Sequence, residues 1–75
     1  MTTTTTTAQD FGAFIRSTRK AQGLRQDELA GVAGVGIRFI VDLEAGKPTA
    51  QLGKALQVLQ ALGCHVELKP GDEGR

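Results

Sequence analysis

The sequence predicts a mainly α-helical fold in which four short helices are followed by one β-strand. Three observations favour this fold. Apolar residues recur at helical spacing between positions 11 and 62, and a glycine stands where each helical pattern ends. Only residues 64–70 alternate apolar and polar side chains, as a strand with one buried face does. Because the chain has 75 residues, we expect a single small domain.

The predicted helices are bounded by caps and glycine stops. Thr7 can cap the first helix, with Asp10 three residues on, and Gly23 suits a left-handed stop. Gly36 serves as the cap of the third helix, and Thr49 as the cap of the fourth. The predicted helices run from Ala8 to Gln22, from Gln26 to Ala33, from Ile37 to Ala45, and from the Thr49 cap to the stop at Gly63.

Each predicted helix has one apolar face, which we expect to form the core. In the first helix, Arg16, Arg19 and Lys20 lie opposite that face, so we expect these three cations to be exposed. In the second helix, either Val32 or Ala33 completes the buried face. The other predicted core residues are Phe11, Phe14, Ile15, Thr18, Leu29, Ala30, Val35, Ile40, Leu43, Leu52, Ala55, Leu56, Leu59 and Leu62.

The single strand candidate predicts a homodimer. An isolated strand leaves its backbone donors and acceptors unpaired, and the chain offers no second strand. Two copies pairing antiparallel about a two-fold axis would bury the apolar faces formed by Cys64, Val66 and Leu68. The alternative is an irregular or helical C-terminal extension. The predicted organisation is a disordered tail (1–7), a helical domain (8–63), a dimerising strand (64–70) and a flexible tail (71–75).

The composition limits the class of protein. Cys64 is the single cysteine, so an intramolecular disulfide is impossible. The sequence has no run of about 18 apolar residues that could span a bilayer, and its N-terminus lacks the pattern of a secretory signal, so we expect a cytoplasmic protein. The formal net charge of +1 does not by itself indicate a nucleic-acid-binding protein. Any basic surface must therefore come from the placement of the cations.

The sequence lacks the parts of a catalytic or metal site, so we expect neither an enzyme nor a cofactor. The segment GVAGVG, residues 31–36, lacks the Gly-Lys-Ser/Thr ending of a phosphate-binding loop. Cys64 and His65 are adjacent, and on a strand they would point to opposite faces, so they cannot act together as nucleophile and base. No further ligands stand at metal-binding spacing.

The second and third predicted helices form a helix-turn-helix, because the short link over residues 34–36 requires a sharp turn. If Ile40 and Leu43 face the core, part of the third helix must face outward. Phe39 lies either at the core margin or against a partner. The residues predicted to face outward are Ile37, Arg38, Val41 and Asp42.

This outward face suits the major groove of DNA. In a helix-turn-helix, the N-terminal residues of the second helix approach base edges. Ile37 and Val41 could pack on thymine methyl groups, and Arg38 could bond a guanine through two parallel donors. Asp42 would repel phosphate unless it accepts a hydrogen bond from a cytosine or orients Arg38, one turn away, and we favour the pairing with Arg38. The alternative is that Ile37 and Val41 belong to a wider core.

The segment GLRQDELAGVAGVGIRFIVDLEAGKPT, residues 23–49, resembles the phage-repressor (XRE) family of helix-turn-helix proteins. Two positions depart from the family pattern: Arg25 stands where Thr or Ser is frequent, and Gly36 stands where a polar cap is frequent. The positions that agree are Gln26, Glu28, Leu29, Ala30, Gly34, Val35, Ile40, Leu43, Glu44, Gly46 and Lys47.

The segment RFIVDLEAGKPTAQLGKALQVLQALG, residues 38–63, together with the strand after it, is similar to HipB-like antitoxins. That resemblance implies a DNA-binding transcriptional regulator that represses its own toxin–antitoxin operon. It also implies C-terminal strands that pair in the dimer and a HipA-like kinase toxin as partner. Two alternatives remain: a solitary XRE-type repressor without a toxin, and a protein-interaction adaptor that does not bind DNA.

The predicted site residues come from the helix geometry together with the resemblance. The sequence does not locate a toxin-binding surface, for which the candidates are the first helix, at Arg16, Arg19 and Lys20, and the tail over residues 71–75. Base-reading residues are predicted to be Gln26, Ile37, Arg38, Val41 and Asp42, and phosphate contacts to be Arg25, Gly36, Lys47, Thr49 and Lys54.

Overall fold

The computed structural model describes residue 5 and residues 7–71. These residues form four helices: α1 (Ala8–Ala21), α2 (Gln26–Ala33), α3 (Ile37–Glu44) and α4 (Leu52–Ala61). The mainly α-helical fold is thereby confirmed. In the packing, α3 lies against both α1 and α2, and α2 also lies against α4. Among the described residues, no helix is long and apolar enough to cross a membrane.

Most helix ends follow the predicted caps and glycine stops, and the start of α4 departs from them. The hydroxyl of Thr7 accepts a hydrogen bond from the Asp10 N–H at 3.0 Å, which confirms the cap of α1. Gly34 ends α2 in the left-handed conformation, with φ 74°. The prediction that Thr49 caps α4 is wrong. The turn after α3 extends through Thr49, so that Gln51 takes the cap position of α4.

The core lies where all four helices meet. Each helix contributes one side chain with no exposed surface: Ile15, Leu29, Ile40 and Val58. The smaller or less completely buried members of the core are Ala30, Ala33, Leu43, Ala55, Leu59 and Leu62. Phe11, Phe14, Val35 and Phe39 are partly buried and pack against this cluster.

The buried face of α4 is rotated relative to the predicted one. Val58, which the prediction omitted, is fully buried, whereas Leu52 and Leu56 are 71% and 39% exposed. At about 100° per residue, the buried face that includes position 58 turns position 56 toward solvent. Leu52 lies on nearly the same side as the buried Leu59, but it is the first residue of α4 and is exposed there. In α2, Ala33 completes the buried face and Val32 is exposed, which decides between the two predicted alternatives.

A glycine allows α1 and α3 to approach each other closely. A methyl group at Gly12 would collide with the carbonyl oxygen of Leu43 and would lie 2.8 Å from that of Glu44. Only a residue without a side chain fits there. The position of α3 relative to α1 therefore depends on Gly12.

Residues 64–71 form neither a helix nor a strand in the single chain. The predicted strand over residues 64–70 is thus not observed, because within one chain its backbone has no neighbouring ladder. The Cys64 N–H donates to the Leu59 carbonyl at 2.9 Å, and residues 65–71 are exposed. Pairing across a homodimer stays a prediction. Most of the two predicted tails, at residues 1–4, 6 and 72–75, lies outside the described residues.

Candidate nucleic-acid interface

A short turn aims α3 away from the core. After the left-handed Gly34, the Val35 N–H donates to the Ala30 carbonyl at 3.0 Å, and the partly buried Val35 side chain anchors the turn on the core. Gly36 takes the cap position of α3, as predicted, with an extended backbone (φ −76°, ψ 153°). α2, this turn and α3 together form the predicted helix-turn-helix.

The helix α3 has a buried face and an exposed face. Ile40 and Leu43 are buried, whereas Ile37 is 50% exposed and the Arg38 side chain is 82% exposed. Val41 is half-buried at the edge between the two faces. Ile37 and Arg38 thus lie outside the core, as the helical geometry predicted, and the alternative of a wider core fails for Ile37.

Phe39 lies at the core margin, which was one of its two predicted positions. Its side chain is partly buried and packs against the core. Lys54 on α4 places its ammonium group 5.9 Å from the centre of the Phe39 ring. This contact is within the range of a cation–π interaction and holds a positive charge beside α3.

Asp42 lies between two cations on this surface. Its Oδ1 is 3.9 Å from Arg38 Nε and its Oδ2 is 3.6 Å from Lys47 Nζ. The expected pairing with Arg38 is therefore present, and a second pairing accompanies it. Both contacts are long and partly exposed, so each contributes at most about 1 kcal/mol and can rearrange. Asp42 can therefore orient Arg38 and Lys47 together.

Arg25, at the start of α2, is engaged by carboxylates of its own helix. Its Nε lies 3.0 Å from Asp27 Oδ1, and its Nη2 lies 3.8 Å from Glu28 Oε2. The hydrogen bond between Arg25 and Asp27 raises the pKa of the guanidinium and lowers the pKa of the Asp27 carboxyl. Glu28 also accepts from the Arg25 N–H at 2.8 Å. The two acids surround the cation that was predicted to bind phosphate.

A buried network connects α1, α2 and α3 beneath this surface. Arg19 Nε donates to Glu44 Oε2 at 2.6 Å and Nη2 donates to Oε1 at 3.1 Å, with only 9% and 4% of the two side chains exposed. The hydrogen bond to Glu44 raises the pKa of Arg19, although burial opposes the rise. Arg19 Nη1 also donates to the Leu24 carbonyl at 2.8 Å. The prediction that Arg19 is exposed is wrong, because α3 brings Glu44 against this side of α1.

The same network fixes Gln26. Its Nε2 donates to Glu44 Oε1 at 3.1 Å, and the residue is half-buried. This bond does not use the amide oxygen. Gln26 is consequently held at the junction of α2 and α3, next to the outer face of α3.

The remaining predicted phosphate contacts differ in their surroundings. Thr49 is exposed in the turn before α4, and Lys47 is exposed and paired with Asp42. Sequence reasoning missed one candidate, Arg16, which lines an open depression together with Arg25, Gln26 and Val41. The sequence shows that Arg16 and Arg19 are about one helical turn apart, but it does not show which side of α1 packs against α3.

Comparison with known proteins identifies the family of this arrangement. The profile of the family described as helix-turn-helix matches residues 15–69, which is more than half of the chain. The chain belongs to the XRE-type helix-turn-helix family. The chain of this XRE-type protein is 72% identical over 67 residues to the uncharacterized HTH-type transcriptional regulator y4mF of Sinorhizobium fredii (strain NBRC 101917 / NGR234), and the match covers 88% of each chain.

Solved structures share the fold of this XRE-type protein at low sequence identity. A HipB–O4 20mer complex aligns with a TM-score of 0.86 at 20% identity, covering 95% of this chain and 100% of that chain. A HipA–HipB–O2–O3 complex aligns with a TM-score of 0.85 at 20% identity, covering 92% and 97% of the two chains. At this identity the likeness establishes the helical fold.

Proposed function

We propose that this XRE-type protein is a sequence-specific DNA-binding regulator of transcription. The observation that supports the proposal is the exposed face of α3, which the sharp turn after α2 directs away from the core. Ile40 and Leu43, on the opposite face of α3, are buried in the core. An α-helix presented in this way fits the major groove. The 72% identical relative is named as a transcriptional regulator, which supports the same function.

In the proposed complex, different residues of α3 contact different bases. Arg38 binds a guanine through two parallel donors, while Ile37 and Val41 pack on thymine methyl groups. Asp42 orients Arg38. Gln26, held by Glu44, contacts the DNA from the start of α2.

Phosphate contacts position the protein on the duplex. Lys47 and Lys54 each bring one positive charge to an edge of α3. Thr49 and the backbone at Gly36 complete the predicted set. Arg25 contributes less than its charge suggests, because Asp27 and Glu28 already compensate it.

We further propose a homodimer that pairs through residues 64–70. In the single chain, Val66 is 46% exposed and Leu68 is 90% exposed, while Cys64 is half-buried against the core. Exposed apolar side chains next to unpaired backbone favour a partner strand. Two copies would present two α3 helices to an operator with matching half-sites.

A more specific proposal is that the protein is the antitoxin and autorepressor of a HipBA-like operon. Its fold resembles that of HipB in the HipB–O4 20mer and HipA–HipB–O2–O3 complexes. Of the surfaces predicted for a kinase toxin, Arg16 and Lys20 on α1 are exposed, whereas Arg19 is buried. A kinase-like gene beside this one, whose product co-purifies with the protein on co-expression, would support the antitoxin. A solitary gene would support a repressor without a toxin.

Operator binding across a series of salt concentrations tests DNA binding directly. A labelled fragment from upstream of the gene is titrated with the protein between about 50 and 200 mM salt, with a scrambled fragment as control. We expect tight binding of the upstream fragment that weakens steeply as salt rises, since phosphate contacts release counterions. A protein that binds neither fragment at low salt would instead be an interaction adaptor.

A further inference from the structure

Arg16 stands on the side of α1 that faces the C-terminal half of α3. Gly12, one turn before it, lies against the carbonyl oxygens of Leu43 and Glu44, and Arg19, one turn after it, binds the Glu44 carboxylate. Arg16 itself is exposed and lies at the rim of the depression between α1, the start of α2 and α3. It is therefore brought beside the proposed DNA surface by contacts on both sides.

The charges around this depression favour an anion. Its lining contains the guanidinium groups of Arg16, Arg19 and Arg25 and a single carboxylate, that of Glu44. Glu44 is already bound by Arg19 and Gln26, so its charge is compensated internally. The positive charge of Arg16, at the rim of the depression, therefore faces solvent.

Arg16 differs from Arg19 and Arg25 in having no acidic partner among the residues that the structure describes. Among the residues that the structure describes, no carboxylate lies within ion-pair distance of Arg16, whereas Arg25 is bound by Asp27 and Glu28. At Arg25, whose side chain is 72% exposed, those carboxylates compete with a phosphate for the guanidinium. Arg16 can bind a phosphate without breaking an existing ion pair.

We propose that Arg16 binds a backbone phosphate of the operator and is the main cation that contacts the strand beside the start of α2. This inference rests on the proposed DNA-binding function and adds a residue to it. The bound group is a phosphodiester oxygen pair, which matches the fork of a guanidinium. Because a phosphate contact carries no sequence information, Arg16 acts on the affinity for all duplexes alike.

The test compares Arg16→Ala with Lys20→Ala, a matched control that removes one exposed cation from the next turn of α1, outside the depression. Binding of the upstream fragment and of a scrambled fragment is measured across salt for the full chain. For Arg16→Ala we expect weaker binding to both fragments and a salt slope smaller by about one, and for Arg16→Lys we expect most of the slope to remain. Lys20→Ala should keep the slope of the unmodified protein.

Two results would overturn the inference while leaving the proposed function intact. One is an unchanged salt slope of binding for Arg16→Ala, whether or not its melting temperature falls. Arg16 would then only stabilise the fold, through its positive charge near the C-terminal end of α3. The other is an equal loss of slope in Arg16→Ala and Lys20→Ala, which would indicate general attraction with no specific contact. If the unmodified protein shows no salt-dependent binding, the proposed function itself fails.

Discussion

The carbonyl oxygens of Leu43 and Glu44 occupy the space that a side chain at position 12 would need. Backbone atoms cannot move aside as a flexible side chain can. We therefore expect Gly12→Ala to destabilise the protein by about 1 to 3 kcal/mol, although alanine is the better helix former. Urea denaturation followed by circular dichroism measures the change.

Gly31 and Gly53 provide the matching test at open positions. Apart from the adjacent residues and the local helix backbone, no atom of the described residues lies within 4 Å of a methyl group added at either position. Gly31→Ala and Gly53→Ala should therefore each stabilise the protein by about 1 kcal/mol. If these glycines keep the protein labile, as an antitoxin requires, the variants should also persist longer in cells with unchanged operator affinity. Lower melting temperatures of both variants would show that the glycines are needed for packing. Stabilised variants that are degraded at the original rate would contradict the lability explanation.

Arg38 and Lys47 share Asp42 but should act differently on DNA. Arg38→Ala should cost about 1 to 3 kcal/mol of operator binding and relax selectivity at one base pair, whereas Lys47→Ala should weaken all sequences alike and lower the salt slope by about one. Binding to operators varied one base pair at a time separates the two effects. Indistinguishable behaviour of the two variants would contradict the assigned roles.

Asp42 itself has two possible effects on binding that the same operators distinguish. Its oxygens lie 3.9 Å from Arg38 and 3.6 Å from Lys47, so we expect Asp42→Ala to lose selectivity at the base pair that Arg38 reads. Tighter and unselective binding would show instead that the carboxylate only repels phosphate.

At the scale of the helices, the Arg19–Glu44 pair holds α1 to the end of α3. Removing one partner leaves the other charge buried and unpaired, so we expect Glu44→Gln to lose about 3 to 5 kcal/mol of stability. The double variant Arg19→Met/Glu44→Met buries no charge and should recover much of that loss. Chemical denaturation of the three proteins measures this, and a loss below about 1 kcal/mol for Glu44→Gln would show that the pair is dispensable.

The helices could be predicted from the sequence because their signals are local. Glycine stops, the Thr7 cap and the 3.6-residue period gave the ends of α1, α2 and α3 to within one residue. The orientation of α4 was less predictable, because its leucines cover more of the circumference than the core uses. The packing of the helices buries Val58 and leaves Leu56 exposed, and Leu52 is exposed at the first position of α4.

At the scale of the whole molecule, the exposed C-terminal segment predicts assembly. We expect the protein to sediment as a dimer, and Val66→Asp or Leu68→Asp to yield folded monomers that bind the operator weakly, since one half-site holds only part of the contacts. His65→Asp adds the same charge at the alternate face of the segment and should stay dimeric. Analytical ultracentrifugation decides this, and dimeric Val66→Asp and Leu68→Asp variants would place the interface elsewhere.

The candidate site was predictable only where it depends on a single helix. The exposure of Ile37 and Arg38 followed from placing Ile40 and Leu43 in the core. Contacts between distant parts of the chain carry no local signal, so the burial of Arg19 by Glu44 and the position of Arg16 beside Arg25 became visible only in three dimensions.

The two faces of α3 have a consequence for how duplicated genes of this kind can diverge. Its inner face is fixed by the core and by Glu44, while Ile37 and Arg38 touch little of the protein's own interior. If Ile37 and Arg38 read bases as proposed, substitutions at these two positions should change the preferred DNA sequence with little cost to folding, since substitutions at exposed positions usually change stability little. Paralogous copies in one genome can therefore acquire separate operators, and avoid cross-regulation, through a few codon changes in a single helix.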